Sequence, residues 1–237
     1  MANDLQQHLR EELSEIDSAG LRRQLRQLDS AQCVRINLEG RELLNFSSND
    51  YLGLANHPVL KKAVSKAVEQ FGAGSGSARL ICGSQTPHHQ LETALAAFKG
   101  TESALSFSSG YAAALGVVPV VVGKGDTVVI DKLIHASLID AARLSGAKLR
   151  VFKHNDLEDF EGILQWAAER GGHTLVITES VFSMDGDLAP LLNLVELKDK
   201  YGAWLMVDEA HHVTASTWSS VRDKFSEKRI IQFTATP

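Results

Sequence analysis

The sequence predicts an α/β protein: a mainly parallel sheet in a three-layer αβα arrangement, preceded by a helical N-terminal segment. Three observations carry this. From residue 88 to residue 210, short apolar runs alternate with longer segments at helical spacing. The runs are continuous in Val, Ile and Leu rather than alternating with polar residues, as strands buried on both faces are. Polar or small residues gather directly after the runs, where open α/β sheets place their ligands.

Taken in order, residues 3–28 carry Leu5, Leu9, Leu13, Ile16, Leu21, Leu25 and Leu28 at near-helical spacing, predicting a helix or a helix pair broken near Gly20. CVRINLEGRELLNF (33–46) predicts a hairpin of two short strands about Glu39-Gly40. Pro58 opens and Gly72 closes a helix over 58–71. GAGSGSARLICGS (72–84), rich in Gly and Ser, is expected as loop. Helical HHQLETALAAF (88–98) then leads to strand ALSFS (104–108) and helix GYAAALGVVPVVV (110–122). Strand TVVID (127–131), helix ASLIDAARLS (136–145), strand KLRVF (148–152) and helix DLEDFEGILQWAAERG (156–171) follow. Strand TLVITES (174–180), helix PLLNLVELKDKYG (190–202) and strand WLMVDEA (204–210) complete the alternation, with a further strand and turn expected in IIQFTATP (230–237).

Composition narrows the function classes. At 44% hydrophobic and 22% charged residues the chain reads as a soluble protein. A net charge of −5 lacks the basic footprint of a nucleic-acid partner. Cys33 and Cys82 lie far apart and form no CxxC pattern, so neither a disulfide framework nor a zinc site is expected. The charged N-terminus has no apolar core of a signal peptide, and the apolar stretch 112–122 falls short of the roughly 20 residues that span a bilayer. The expected setting is cytoplasmic, with no membrane partner.

The strand ends carry the candidate chemistry. Ser108-Ser109-Gly110-Tyr111 opens a helix whose N–H groups suit a phosphate, although any βα turn favours such residues. His135 opens the next helix, as a cap, a structural residue or a ligand-facing ring. His154-Asn155-Asp156 and ESVFSMDGD (179–187) follow. Asp208, at the end of a buried run, needs a charged or hydrogen-bonding partner: a protonated ring nitrogen, a metal, or a helix to cap.

LNFSSNDYLGLANHP, FGAGSGSARLICGSQTPHHQLE, FSSGYAAALG, DKLIHASLIDAARLSGAKLRVFKHNDL, VFSMDGDLAPL and WLMVDEAH occur in that order. Residues 5–211 thereby resemble the α-oxoamine synthases, enzymes dependent on pyridoxal 5'-phosphate (PLP) that condense an amino acid with an acyl thioester. INLEGRELLNFSSNDYLGL is nearest to the branch serving biotin synthesis, with L-alanine and a pimeloyl thioester as implied substrates and a homodimer as the implied assembly. The resemblance implies a fold-type I PLP transferase large domain. In it, the Gly110 amide approaches the cofactor phosphate, the Tyr111 side chain borders the site and His135 stacks on the pyridine ring. Ser183 lies near the ring 3-hydroxyl, with Glu179 in the same segment. Asp208 pairs with the ring nitrogen, and His211 bonds the ring oxygen. Arg22 and Asn49 fall where the family contacts substrate.

The resemblance implies a boundary too. The expected domains are 1–44 (helix and hairpin), 45–211 (a partial PLP-binding large domain) and 212–237 (an unrelated tail). From Asp208 onward, DEAHH followed by TATP resembles motifs II and III of DEAH helicases and restriction-type ATPases. That alternative lacks its phosphate-binding GxxxxGK[ST]: Gly125 follows Gly123-Lys124 where Ser or Thr is required. The synthase reading lacks its Schiff-base lysine, since neither Lys224 nor Lys228 stands in the family context. The expectation is a truncated large domain without the C-terminal small domain, and a chain inactive in the condensation.

Overall fold

A computed structural model describes residues 4–210 and the backbone of 231–232. The chain divides into two compact units, Met1–His89 and Gln90–Pro237.

In the first unit, helix α1 (Leu5–Ser18) starts at Asp4, whose carboxylate accepts the Gln6 N–H at 3.1 Å. It ends at Gly20, which takes a left-handed φ of 66°. The expected second helical half does not form. Leu21 and Leu25 are exposed, so burial does not offset the nucleation cost of another short helix. The segment is extended instead, with Leu28 bridging antiparallel to Leu38. Strands β1 (Arg35–Leu38) and β2 (Arg41–Leu44) make the expected hairpin. Glu39 and Gly40, at φ 52° and 76°, supply the paired left-handed residues of a twist-matched two-residue turn. Helix α2 (Pro58–Phe71) has Pro58 in its first turn and His57 as its cap. The segment 72–84 is not loop throughout: Arg79–Gly83 forms a π-helical turn. Gly83 permits it, because a Cβ there would lie 1.9 Å from the Ser77 carbonyl oxygen. Helix α3 (Thr86–Lys99) follows.

The second unit holds the sheet. After helix α4 (Gly110–Val121) come β3 (Thr127–Asp131), α5 (Ala136–Leu144), β4 (Lys148–Phe152) and α6 (Leu157–Arg170). Then follow β5 (Thr174–Glu179), α7 (Leu191–Lys200), β6 (Trp204–Asp208) and the short β7 (Ile231–Gln232). All pairings are parallel, in the order β4-β3-β5-β6-β7. The expected strand at 104–108 is absent. The Ser106 N–H and hydroxyl both bond the Glu92 carboxylate, each at 2.9 Å, so the middle N–H of this segment finds its acceptor without a ladder.

Period-two alternation sorts the core into two layers. Val128, Ile130, Leu175, Ile177 and Met206 pack with residues of α4 and α5. Val129, Phe152, Val176, Leu205 and Val207 pack with residues of α6 and α7. Both faces are therefore covered, which is why these strands are apolar without alternation. From β3 the chain steps to one side into β4, then crosses to β5 on the other. The topological switch point, where such sheets hold ligands, lies between β3 and β5. Among the described residues, no helix is long and apolar enough to cross a membrane.

Candidate active site

Three carboxylates stand at adjacent strand ends: Asp131 on β3, Glu179 on β5 and Asp208 on β6. Glu179 and Asp208 are register partners. Asp208 is 6% exposed, and its Oδ1 accepts the Glu209 N–H at 2.8 Å. Burial pushes its carboxyl up to about 6; the Glu209 N–H and His135 oppose the rise, and the Glu209 charge adds to it. Glu209 adopts a left-handed φ of 54°, and the Ser180 hydroxyl donates to its carbonyl at 2.5 Å, fixing the turn after β6. Glu179 is pushed up to about 7, first by burial and then by its acidic neighbours, against the His135 N–H that it accepts.

His135 caps α5: its Nδ1 accepts the Ser137 N–H at 3.2 Å and lies 2.7 Å from the Ser137 hydroxyl. The accepting role of Nδ1 leaves the proton of a neutral ring on Nε2. The cap role is thus present, and the exposed ring stands beside the switch point. Ser109 caps α4 through the Ala112 N–H at 3.1 Å, leaving the first-turn amides of Gly110 and Tyr111 without helical carbonyl partners. The Tyr111 hydroxyl donates to Asp140 Oδ2 at 3.2 Å, tying the start of α4 to α5 just beyond its His135 cap. The hydrogen bond to Asp140 and that carboxylate's charge raise the phenol.

The structure thus brings His135, Glu179 and Asp208 together, with Gly110 and Tyr111 at a helix start linked to α5. Ser183 is exposed on the hairpin after β5. Arg22 and Asn49 belong to the first unit: Arg22 pairs with Asp17 at 2.6 Å, and Asn49 is exposed. His211, Lys224 and Lys228 lie outside the described residues. Asp131, His154, Asn155 and Asp187 follow or end strands in the sequence, with no role legible there. The structure joins them in one network. His154 Nδ1 lies 2.8 Å from Asp131 and Nε2 lies 2.7 Å from Asp187, while Asn155 Nδ2 donates to Asp187 at 2.8 Å.

The model of the family "Aminotransferase class I and II" matches residues 41–232. The chain belongs to this family. The match covers the described sheet and runs past His211, where the sequence suggested a change of pattern. The 8-amino-7-oxononanoate synthase of Pelobacter propionicus is 51% identical over 204 residues, which is 86% of this chain and 52% of the relative. That of Herminiimonas arsenicoxydans is 52% identical over 207 residues, covering 87% and 53%. Among solved structures, the serine palmitoyltransferase of Sphingomonas wittichii superposes with a TM-score of 0.78 at 35% identity, covering 85% of this chain and 51% of that one. The 8-amino-7-oxononanoate synthase of Francisella tularensis gives 0.57 at 34% identity, covering 70% and 44%. The chain spans about half the length of the curated relatives it matches.

This aminotransferase family member has the fold of fold-type I PLP enzymes; a solved serine palmitoyltransferase at 31% identity and a TM-score of 0.77 carries PLP as its internal aldimine. Its residues fit that cofactor. Asp208 is a buried carboxylate raised to about 6 with no cationic side chain bonded to it among the described residues, the environment a protonated ring nitrogen would relieve. The first-turn amides of α4 suit a phosphate.

Proposed function

We propose that this chain is the cofactor-holding part of a cytoplasmic, homodimeric α-oxoamine synthase. The reaction condenses L-alanine with a pimeloyl thioester, carried on CoA or acyl carrier protein, with loss of the alanine carboxylate. Supporting this are the 8-amino-7-oxononanoate synthases at about half identity and the ordered motifs around the switch point. The observation that carries it is Asp208, a buried carboxylate at a strand end beside the switch-point strand β5, in want of a cation.

When bound, PLP supplies an electron sink for the pair left at the amino acid α-carbon. Asp208 would hold a proton on the ring nitrogen by opposite-charge pairing. Glu179, accepting the His135 N–H, fixes the turn that presents the His135 ring. The Gly110 amide, at the positive end of α4, would approach the phosphate, and the Tyr111 ring would border the site. Ser183 would lie near the ring 3-hydroxyl and His211 would bond the ring oxygen, while Arg22 and Asn49 are the proposed substrate contacts. Proton removal at the α-carbon falls to a lysine in this family, and neither Lys224 nor Lys228 has the matching context. A polypeptide of these 237 residues alone is therefore expected to hold PLP without turning over.

The test is a PLP titration of that polypeptide followed by thermal unfolding. PLP should raise the transition of the parent and leave Asp208→Ala unmoved; equal shifts in both, or none in either, would sink the cofactor reading. Borohydride reduction should fix PLP at no single lysine, and thiol release from pimeloyl-CoA with L-alanine should stay at background. Turnover or one labelled lysine would overturn the expected inactivity.

A further inference from the structure

We propose that His154 is a positioning residue that clamps the hairpin of residues 181–188, and with it Ser183, across the carboxyl end of β3. The hairpin leaves β5 and closes on itself. Val181 bridges Leu188, the Phe182 N–H donates to the Asp187 carbonyl at 3.0 Å, and the Gly186 N–H donates to the Phe182 carbonyl at 2.8 Å. Those bonds shape the hairpin but do not anchor it over the sheet. The anchor comes from the turn after β4, two strands away from β5. There Asn155 takes a left-handed φ of 54°, and His154 and Asn155 both reach Asp187 on the returning arm. His154 also bonds Asp131, which is 1% exposed and ends the intervening strand β3. Asp131 is held in turn by the Leu133 N–H at 2.8 Å and the Asn155 N–H at 3.0 Å. The Phe182 ring meets His154 edge-on, with centroids 4.6 Å apart.

The chemistry fixes the charge of the clamp. Ionised carboxylates only accept hydrogen bonds, so with one on each ring nitrogen both nitrogens must donate. His154 therefore works as an imidazolium between Asp131 from β3 and Asp187 from the hairpin. The other groups against it, Asn155 and Phe182, carry no charge. Burial pulls the imidazolium's pKa down, but hydrogen bonds and charge from the two carboxylates outweigh it, and the net shift is upward. The sign follows: a raised histidine contributes fully below its ordinary value near 6.5, and the contribution is lost as pH climbs through the raised one. Alkaline pH should release the hairpin while the sheet beneath stays folded.

The consequence for Ser183 rests on the proposed cofactor role of that residue, so the experiment separates the two. In the ¹⁵N-histidine spectrum of the full chain near neutral pH, His154 should give two protonated ring nitrogens. A neutral tautomer there would overturn the clamp without any substitution. Limited proteolysis at the exposed hairpin tip around Met184 should accelerate in His154→Gln and with rising pH; a cleavage rate unchanged in both overturns it as well. Should His154→Gln not fold, Asp187→Asn serves, since it leaves the Asp131 contact in place. PLP affinity then tests the link to the site. His154→Gln should weaken it roughly threefold to tenfold with Ser183 present and leave it unchanged on a Ser183→Ala background, as coupled neighbours behave. Additive losses overturn the positioning role. If Ser183→Ala alone leaves PLP affinity unchanged, the cofactor role of Ser183 fails, while the spectrum and the proteolysis still decide the clamp.

Discussion

Replacing Asp208 by Asn should lower PLP affinity by about a hundredfold, and the size follows from the site. Burial holds the Asp208 carboxyl at about 6, some two units above its ordinary 3.8. At 1.36 kcal/mol per unit, an ionised Asp208 in the cofactor-free chain is disfavoured by about 3 kcal/mol. A cation that restores the ordinary value recovers at most that amount on binding, which corresponds to about two decades of affinity. Asn keeps the shape and an accepting oxygen but carries neither the penalty nor the gain. The assay is fluorescence or absorbance titration of PLP into parent and Asp208→Asn chains between about pH 5 and about pH 8. Near pH 8 the parent is already ionised and the gap is widest. Toward pH 5 Asp208 in the free chain is protonated, binding must first expel that proton, and the gap closes. An Asn variant within about threefold of the parent near pH 8, or a gap that does not vary with pH, refutes the pairing.

Three further outcomes follow from the same structure. Glu179 and Asp208 have folded-state values of about 7 and about 6, above their unfolded ones. The native chain therefore binds more protons than the unfolded one in this range, and its stability falls as pH rises from about 4 to about 7; urea midpoints should show this, with a shallower slope in Glu179→Gln. Gly172→Ala places a Cβ 2.5 Å from the Gly125 carbonyl oxygen at a φ of 81°. It should lower stability by about 2 kcal/mol in chemical denaturation, and a neutral result would mean that the 125–126 turn yields freely. Phe160→Ala empties a fully buried site whose ring lies 4.9 Å from Phe152. A loss of about 3–5 kcal/mol is expected, and less than about 1 would show that the α6 layer collapses around the gap.

The sheet was legible because burial on both faces writes itself into composition: 127–131, 174–179 and 204–208 each carry an unbroken apolar run of three or four residues, and each is a strand. ALSFS shows the limit of that signal. Five residues can look like a strand, but a ladder needs a neighbour, and Ser106 found Glu92 instead. Leu21, Leu25 and Leu28 keep helical spacing without a helix, because spacing states which face would be buried and not whether anything covers it. The π-helical turn at Arg79–Gly83 depends on the approach of Gly83 to Ser77, a contact no periodicity encodes. The site divides in the same way. Asp208 and His135 were visible from their places after strands together with the family resemblance. His154 was not given a role, since its two partners lie 23 and 33 residues away.

The letters Asp-Glu-Ala-His fit two chemistries, and position in the sheet is what separates them. In an ATPase of the DEAH kind the acidic pair acts on a nucleotide whose phosphates are wrapped by a glycine-rich loop ending in Gly-Lys-Ser or Gly-Lys-Thr. The turns after β3, β4 and β5 read KLIH, KHND and SVFSMDGD, and none can form such a loop. Instead they present a histidine, a histidine held between two carboxylates, and a hairpin. Asp208 enters that setting as a buried acid beside a second buried acid, Glu179, with its proton affinity already raised. A metal-binding aspartate gains from being ionised at little cost before its ligand arrives, whereas burial makes ionisation of this one costly, and it gains most from a partner that brings its own proton. A protonated pyridine ring does so, which is why strand-end geometry and the family match converge on the same cofactor.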